Sequence, residues 1–450
     1  MTERARAEDA DDAHSAYEFG GPIGTALIML GSHVFVYYVW LCVFFNDGAQ
    51  LVPSSVHDVR PLARFVMRTL RDEAAPTWYA TQIYVLFLVF QLVLALTMPG
   101  VMSKGLPVPS ENNQPLTYRC NGVASWYVTL VVVLGLHYSG LFPLQTVLDQ
   151  FGHILTVSAI MSNVVSVAAY ASAFALKRTH RMSGNHVYDF FMGAWLNPRF
   201  GYFDWKFWAE TRVAWITLFL LTLAAAMKQV EMDGRVGTPM IFMLLAHGLY
   251  TNAVMKGEEC IVTTWDVFYE KWGWMLIFWN FTGVPFVYCA QSYYIAMHHK
   301  MEHASPWISA ALFVTLVGAY YIWDTSQSQK DRFRMELKGN LIHRKTFPQL
   351  PWGTLRNPKF LTTAAGSPLL IDGWWRYARK IHYTMDTIMA LTWGLNCGID
   401  HALPYFYFVF FFSMIVHRYI RDAERCQRKY GKDWDRYCRI VPYIFIPYVI

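Results

Sequence analysis

Charge is what this chain has least of: 16% of its 450 residues are Asp, Glu, Lys or Arg, against roughly a quarter in a soluble domain. Too few charged groups remain to cover a water-facing surface, which argues against a single soluble enzyme domain. A composition 54% apolar and 17% aromatic, with mean hydropathy +0.22, excludes a disordered or collagenous polypeptide. The seven cysteines are odd in number and include no C-x-x-C pair, so neither a disulfide framework nor a zinc site is suggested. There is no G-x-G-x-x-G and no Walker A motif, so a bound nucleotide would not rest on a glycine-rich loop. His299 and His303 form an H-x-x-x-H that would share a helix face, but the histidine clusters of membrane di-iron oxygenases are missing. No metal site and no nucleic-acid partner is expected, and no internal repeat of the transporter kind is found.

What the sequence does have is long uncharged runs. Gly24 to Phe45 contains no Asp, Glu, Lys or Arg, and about 20 such residues cross a hydrocarbon core. Similar runs follow at Ala74 to Ser103, Cys120 to Leu176 (two spans, divided near Asp149), Val213 to Met227, Val236 to Met255, Trp272 to His299 and Ala304 to Trp323. Thr387 to Ile399 and His401 to His417 complete a steep hairpin. The expectation is an all-α, polytopic membrane bundle of about ten transmembrane helices. Residues 1–23 would be a disordered cytosolic tail, with Glu3 to Asp12 acidic. Residues 24–323 would hold spans one to eight, and 324–450 would hold the cytosol-facing segments with the last two spans (387–417). With both termini in the cytosol, 31 of the 38 lysines and arginines face that side, the bias of the positive-inside rule. The first helix would then serve as the insertion signal.

Two cytosolic segments, Asp324 to Asp386 and Arg418 to Ile450, hold 19 of the 38 basic residues. Such clusters suit lipid headgroups or an anionic ligand. Arg418, Arg421, Arg425, Arg428 and Lys432 recur at helical spacing, and Trp375, Tyr383, Tyr430 and Tyr437 offer flat rings beside them. The segment GNHVYDFFMGAWLNPR (184–199) is too aromatic for a free loop and reads as an interfacial turn. Glu258, Glu259, Asp266 and Glu270 crowd the connection after the sixth span. These acids could cap helices or pair with Lys256 and Lys271, and one or two could point into the bundle, where ionisable groups are costly and usually functional.

The segments YEFGG (17–21), GNHVYDFFMG, KTFPQLPW (345–352), LLIDGWWRYARKIHYTMD (369–386) and the ending from Leu403 to Ile450 together resemble the sterol reductase family of the endoplasmic reticulum. Within it they are most similar to the fungal-type branch that reduces the C-24(28) double bond in the sterol's aliphatic tail. KTFPQLPW and His382 look like that branch, whereas nucleus-acting relatives at C-7 and C-14 share the C-terminal motif.

The resemblance implies a ten-helix bundle with an NADPH pocket in the C-terminal half, open to the cytosol. The implied cofactor contacts are Lys330, Arg334, Leu370, Trp375, His382, Tyr383, Asp422, the run Cys426 to Tyr430 with Lys429 and Tyr430, and Tyr437. It further implies an endoplasmic-reticulum membrane enzyme of ergosterol-type synthesis, with a sterol substrate, membrane lipid and other sterol-biosynthesis enzymes as partners. An alkene remote from a carbonyl needs protonation before hydride, so a buried carboxylic acid is required. Glu259 or Asp266 fits that role by position, with Tyr269 or His382 as relays. Other readings are reduction at C-7 or C-14, an S-adenosylmethionine-dependent membrane methyltransferase suggested by KYGKDWDRYCRIVPYIFIP, and a non-catalytic sterol-binding protein.

Overall fold

The computed structural model describes residues 17–339, 341–342 and 349–449. The acidic N-terminal stretch and Lys345 to Pro348 of KTFPQLPW therefore lie outside the described residues. Helices dominate: α1 (Gly21–Phe45), α2 (Val59–Glu73), α3 (Trp78–Thr97), α4 (Gly122–Tyr138), α5 (Phe151–Ala175), α6 (Trp205–Asp233) and α7 (Thr238–Lys256) precede α8 (Pro306–Leu337), α9 (Ile381–Leu395), α10 (Phe406–Tyr430) and α11 (Lys432–Ile440). Two compact units result. The first runs through Val236 and includes Tyr250–His299; the second comprises Gly237–Leu249 and everything from Lys300 onward.

Among the described residues, six helices are long and apolar enough to cross a membrane: α1, α3, α5, α6, α8 and α10 extended back to Leu403. They fit a multi-pass membrane protein. The other four expected spans take different forms. α4 has 17 residues and α9 has 15, while α7 carries His247, Thr251 and Asn252 in its apolar sequence. The run from Trp272 is broken into Trp274–Phe278, a π-helical turn Trp279–Gly283, Val284–Val287 and Ala290–Met297. That last helix stops before His299, which has a left-handed φ of 48°, so His299 and His303 do not share a helix face. His299 instead meets Asp233 at 2.7 Å, and His303 meets Ser309 at 2.6 Å and Asn396 at 2.8 Å.

Two expected boundaries move outward because charged residues continue a helix beyond its apolar part. α8 runs on from Trp323 to Leu337, and α10 runs on from His417 to Tyr430, where Gly431 (φ 52°) breaks it. The expected second span also stops early. Val101–Val108 pairs antiparallel with Gln114–Cys120 as the hairpin β1–β2, with Val101 opposite Cys120.

A buried ion pair fixes the start of α4. Glu258, with no exposed surface, pairs with Arg212 and accepts a hydrogen bond from Gly122 N at 2.7 Å. Arg212 also donates to Asn121 Oδ1 at 2.9 Å. Removing one partner of such a pair strands a buried charge. Arg212→Met should therefore destabilise the protein by about 3–5 kcal/mol, measured by thermal unfolding in detergent. Adding Glu258→Gln should recover much of the loss, and equal losses in the single and double variants would contradict this assignment.

Candidate functional site

The second unit gathers most of the implied cofactor residues, and α8 is the platform. Lys330 and Arg334 lie one turn apart on it, with Phe333 between them packed on Leu370 and Trp375. A tight turn, Gly373–Arg376, is fastened to the same helix. Trp374 Nε1 donates to Thr325 Oγ1 (2.9 Å), Trp375 Nε1 donates to Ser326 O (2.8 Å) and Trp374 N donates to Gln329 Oε1 (3.0 Å). Gly373 has φ 59°, and a β-carbon there would stand 2.3 Å from Gln329 Oε1, so only glycine allows this approach. The described end of KTFPQLPW docks on α8 as well, with Trp352 O accepting from Gln329 Nε2 at 2.8 Å and Pro351 O from Tyr321 at 3.1 Å.

From the fastened turn a row of rings extends: Trp375 to His382 at 5.0 Å between centroids, then His382 to Tyr383 at 4.2 Å. Lys330 Nζ sits 4.1 Å from the Trp375 centroid and Lys380 Nζ 5.5 Å from that of Tyr383, both within cation–π range. Lys380 is buried and ion-paired with Asp422. Cys426 Sγ lies 4.0 Å from the same carboxylate. Burial opposes the charged form of Lys380, yet Asp422 and Tyr383 overcome it and hold its pKa above the usual lysine value. His382 shifts the other way: burial first, then Lys330, Lys380, Arg418 and Arg334, push its pKa well below the usual value. Its imidazole is therefore neutral at pH 7, and its Nδ1 atom is buried without a hydrogen-bond partner.

Not every expected contact faces this group. Leu370 and Tyr437 are buried, the latter packed with Leu361 and Val441. Lys429 is exposed, 5.0 Å from the Tyr430 ring, and continues to an outer row with Trp434 and Tyr437. On α10, Arg418, Asp422, Arg425 and Cys426 are half-buried and Arg428 is exposed, whereas Lys432 belongs to α11 beyond the Gly431 break. Arg379, one of the basic residues in the segment Asp324 to Asp386, does not join the group: its guanidinium donates to Val441 O (2.9 Å) and Cys438 O (3.5 Å) at the end of α11, where a cation suits unpaired carbonyls.

The sequence reading missed the strap that holds Lys380. Backbone N–H groups of Arg379 and Lys380 donate to Tyr443 O (2.9 Å) and Ile444 O (2.8 Å), and Thr384 Oγ1 donates to Phe445 O (2.7 Å). The joined segments are some sixty residues apart, and no side-chain pattern in either announces main-chain pairing.

The proton-donor candidates belong to the first unit. Glu259 is half-buried in the turn Glu258–Ile261, and Asp266 is half-buried in Trp265–Phe268. The Tyr269 ring lies 3.9 Å from that of Trp265, with the Arg181 guanidinium 3.9 Å above it. Fully buried Lys206 holds the loop by donating to Val267 O (2.9 Å) and Glu270 O (2.7 Å). Lys271 donates to Arg181 O at 2.8 Å, and burial brings its pKa down to about 8. GNHVYDFFMG is a capped turn: Asn185 Oδ1 accepts from Val187 N and Tyr188 N, and Asp189 accepts from Ser183 N and Gly184 N. Phe191 and Tyr188 anchor it on Trp274 and Tyr17. The buried acid that position alone did not single out is Glu258, whose ion pair commits it to structure.

Comparison with known proteins places this sequence. The model of the Ergosterol biosynthesis ERG4/ERG24 family matches residues 13–450. The protein is 44% identical over 440 residues to Delta(24(24(1)))-sterol reductase erg4A of Aspergillus fumigatus, covering 97% of its own length and 93% of that relative's. It is 44% identical to the Delta(24(24(1)))-sterol reductase of Gibberella zeae (98% and 74% covered), and 34% identical to the Delta(14)-sterol reductase of Methylotuvimicrobium alcaliphilum (99% and 99%). The protein belongs to this sterol reductase family.

His382 yields a pH prediction. Its folded pKa lies below the unfolded value near 6.5, so the unfolded state gains the proton first. Its contribution to stability is whole above about pH 6.5 and declines as pH falls below it. The melting temperature of the wild type should drop more steeply than that of His382→Asn between about pH 7 and 5. Parallel curves in a detergent melting series would contradict a neutral, buried imidazole.

Proposed function

We propose that this protein reduces the C-24(28) double bond of a sterol with NADPH, in the endoplasmic-reticulum membrane, with both termini cytosolic and ten spans. The observation that carries the reaction is the 44% identity, along almost the full length, with two reductases named for that bond. What supports the cofactor is the chemistry of the second unit. Lys330, Lys380, Arg418 and Arg334 all act on His382, and Asp422 is the carboxylate among them. That excess of positive charge, the flat rings of Trp375 and Tyr383, and the orphaned His382 Nδ1 fit an anionic dinucleotide.

NADPH, when bound, supplies the hydride. Lys330 and Arg334 would hold its phosphates, Trp375 and Tyr383 its flat rings, and Asp422 keeps Lys380 charged and in place. At the sterol, an acid of the protein delivers a proton to C-28, and the resulting tertiary cation at C-24 takes the hydride. Glu259 is the proposed donor, with Asp266 as the alternative and Tyr269 as a relay in the same loop. Water must stay out while the cation exists, which suits a site within a membrane bundle.

Purified protein in lipid nanodiscs should convert a C-24(28)-unsaturated sterol to the product saturated at that bond, with cofactor deuterium at C-24 and solvent deuterium at C-28. Reduction of a C-14 alkene alone would overturn the substrate assignment, and reversed labels would overturn the mechanism. Glu259→Gln should lower turnover by about 10²-fold or more while NADPH binding is kept. Full activity there passes the role to Asp266, tested as Asp266→Asn.

Arg334→Ala should weaken NADPH far more than NADH, because a charge-assisted contact worth about 1.5–3 kcal/mol has no 2′-phosphate to meet in NADH. Equal losses in a binding titration remove Arg334 from that role.

A further inference from the structure

The short helix α2 takes no part in the proposed reaction, and its surface is divided by chemistry. At about 100° per residue, Val59, Ala63 and Met67 recur along one exposed stripe of α2, and Val56, in the 3-10 turn Val56–Asp58 that leads into it, is exposed as well. Val56 is 87%, Val59 50% and Met67 72% exposed. Arg60 and Arg64 follow one position behind, on the neighbouring strip of surface, and neither has a carboxylate partner among the described residues. Asp72 falls on the side opposite the apolar stripe, beside the partly exposed ring of Phe65, and Asp58, in the preceding turn, is the N-cap residue of α2. Thr69 is buried, and Leu62, Val66 and Leu70 are half-buried, giving the helix its protein-facing side.

Its height is also set. α2 lies between the end of α1 at Phe45 and the start of α3 at Trp78, both helices able to span a membrane. Its C-terminal end is tied to the first turn of a third: His153 Nδ1 bonds Ala75 O at 2.6 Å, and a β-carbon on Gly152 would stand 2.4 Å from Glu73 O. Three spans thus begin or end at the level of α2. An exposed valine–methionine stripe in water would be a liability, whereas at that level it meets the boundary between headgroups and acyl chains.

We infer that α2 lies in the plane of the membrane interface, with Val56, Val59, Ala63 and Met67 in the upper acyl layer and Arg60 and Arg64 on phospholipid phosphates. The ordering of apolar stripe, arginines and then Asp72 around the helix is that of an interfacial helix. Its arginines suit phosphate as guanidinium groups do. The occupant is the bilayer itself, at a surface separate from any sterol or cofactor site.

The test uses the full-length protein in phosphatidylcholine nanodiscs, with a fluorescent non-natural amino acid placed at Met67 or at Asp72. Lipids brominated near the top of the acyl tail should quench position 67 on the order of threefold more than position 72. Arg60→Gln with Arg64→Gln should reduce that difference, with sterol reduction unchanged as a check on folding. Equal quenching at the two positions overturns the interfacial placement. A blue-shifted probe at 67 that brominated lipid does not quench means protein covers the stripe, which also overturns it. Strong quenching that the double variant leaves intact removes the arginines from lipid phosphate.

Discussion

Too much positive charge in one place is the constraint on which the second unit turns. Asp422 neutralises Lys380, but Lys330 and Arg425 act on the same carboxylate, and Arg334 and Arg418 join Lys330 and Lys380 around His382. Like charges held near one another away from bulk water repel. A fold would not gather such groups for stability. It tolerates them because rigid attachments hold them: Trp374 and Trp375 to α8, and the strap of Tyr443 to Phe445 to the Arg379–Thr384 segment. An anion would relieve the repulsion, which is the part the proposed dinucleotide plays.

The first unit handles its buried charges one by one. Several of its buried acids are each held by a separate partner. Glu258 is locked to Arg212, Glu270 accepts from Trp265 Nε1 at 2.5 Å, and Asp189 is occupied by the backbone of its own turn. Glu259 and Asp266 are half-buried neighbours of these committed groups. The π-helical turn Ala209–Ala214 carries Arg212, the partner of Glu258, and a second π-helical turn, Trp279–Gly283, follows Glu270 in sequence; such turns recur at functional sites.

Hydropathy and loop charge made the membrane bundle legible, and recurring motifs made the family legible. The residues around His382 followed from the motifs. Three things did not follow. Helix ends were misplaced wherever charge continued a helical backbone, as from Arg418 to Tyr430, because apolar length measures the membrane and not the helix. Arg379 looked like its basic neighbours, since a sequence does not say whether a guanidinium meets a ligand or the carbonyls of Cys438 and Val441. Glu258 and Glu259 are identical in kind and adjacent, and only the position of Arg212 on a distant helix tells them apart.

The central claim is that the cation-rich group of the second unit is where the dinucleotide sits, and photolabelling reads it directly. A photoactivatable NADPH analogue should cross-link to peptides within 369–383 and 418–437, and excess NADPH should abolish the adducts. Adducts confined to the first unit, for example within 257–273, would contradict the account.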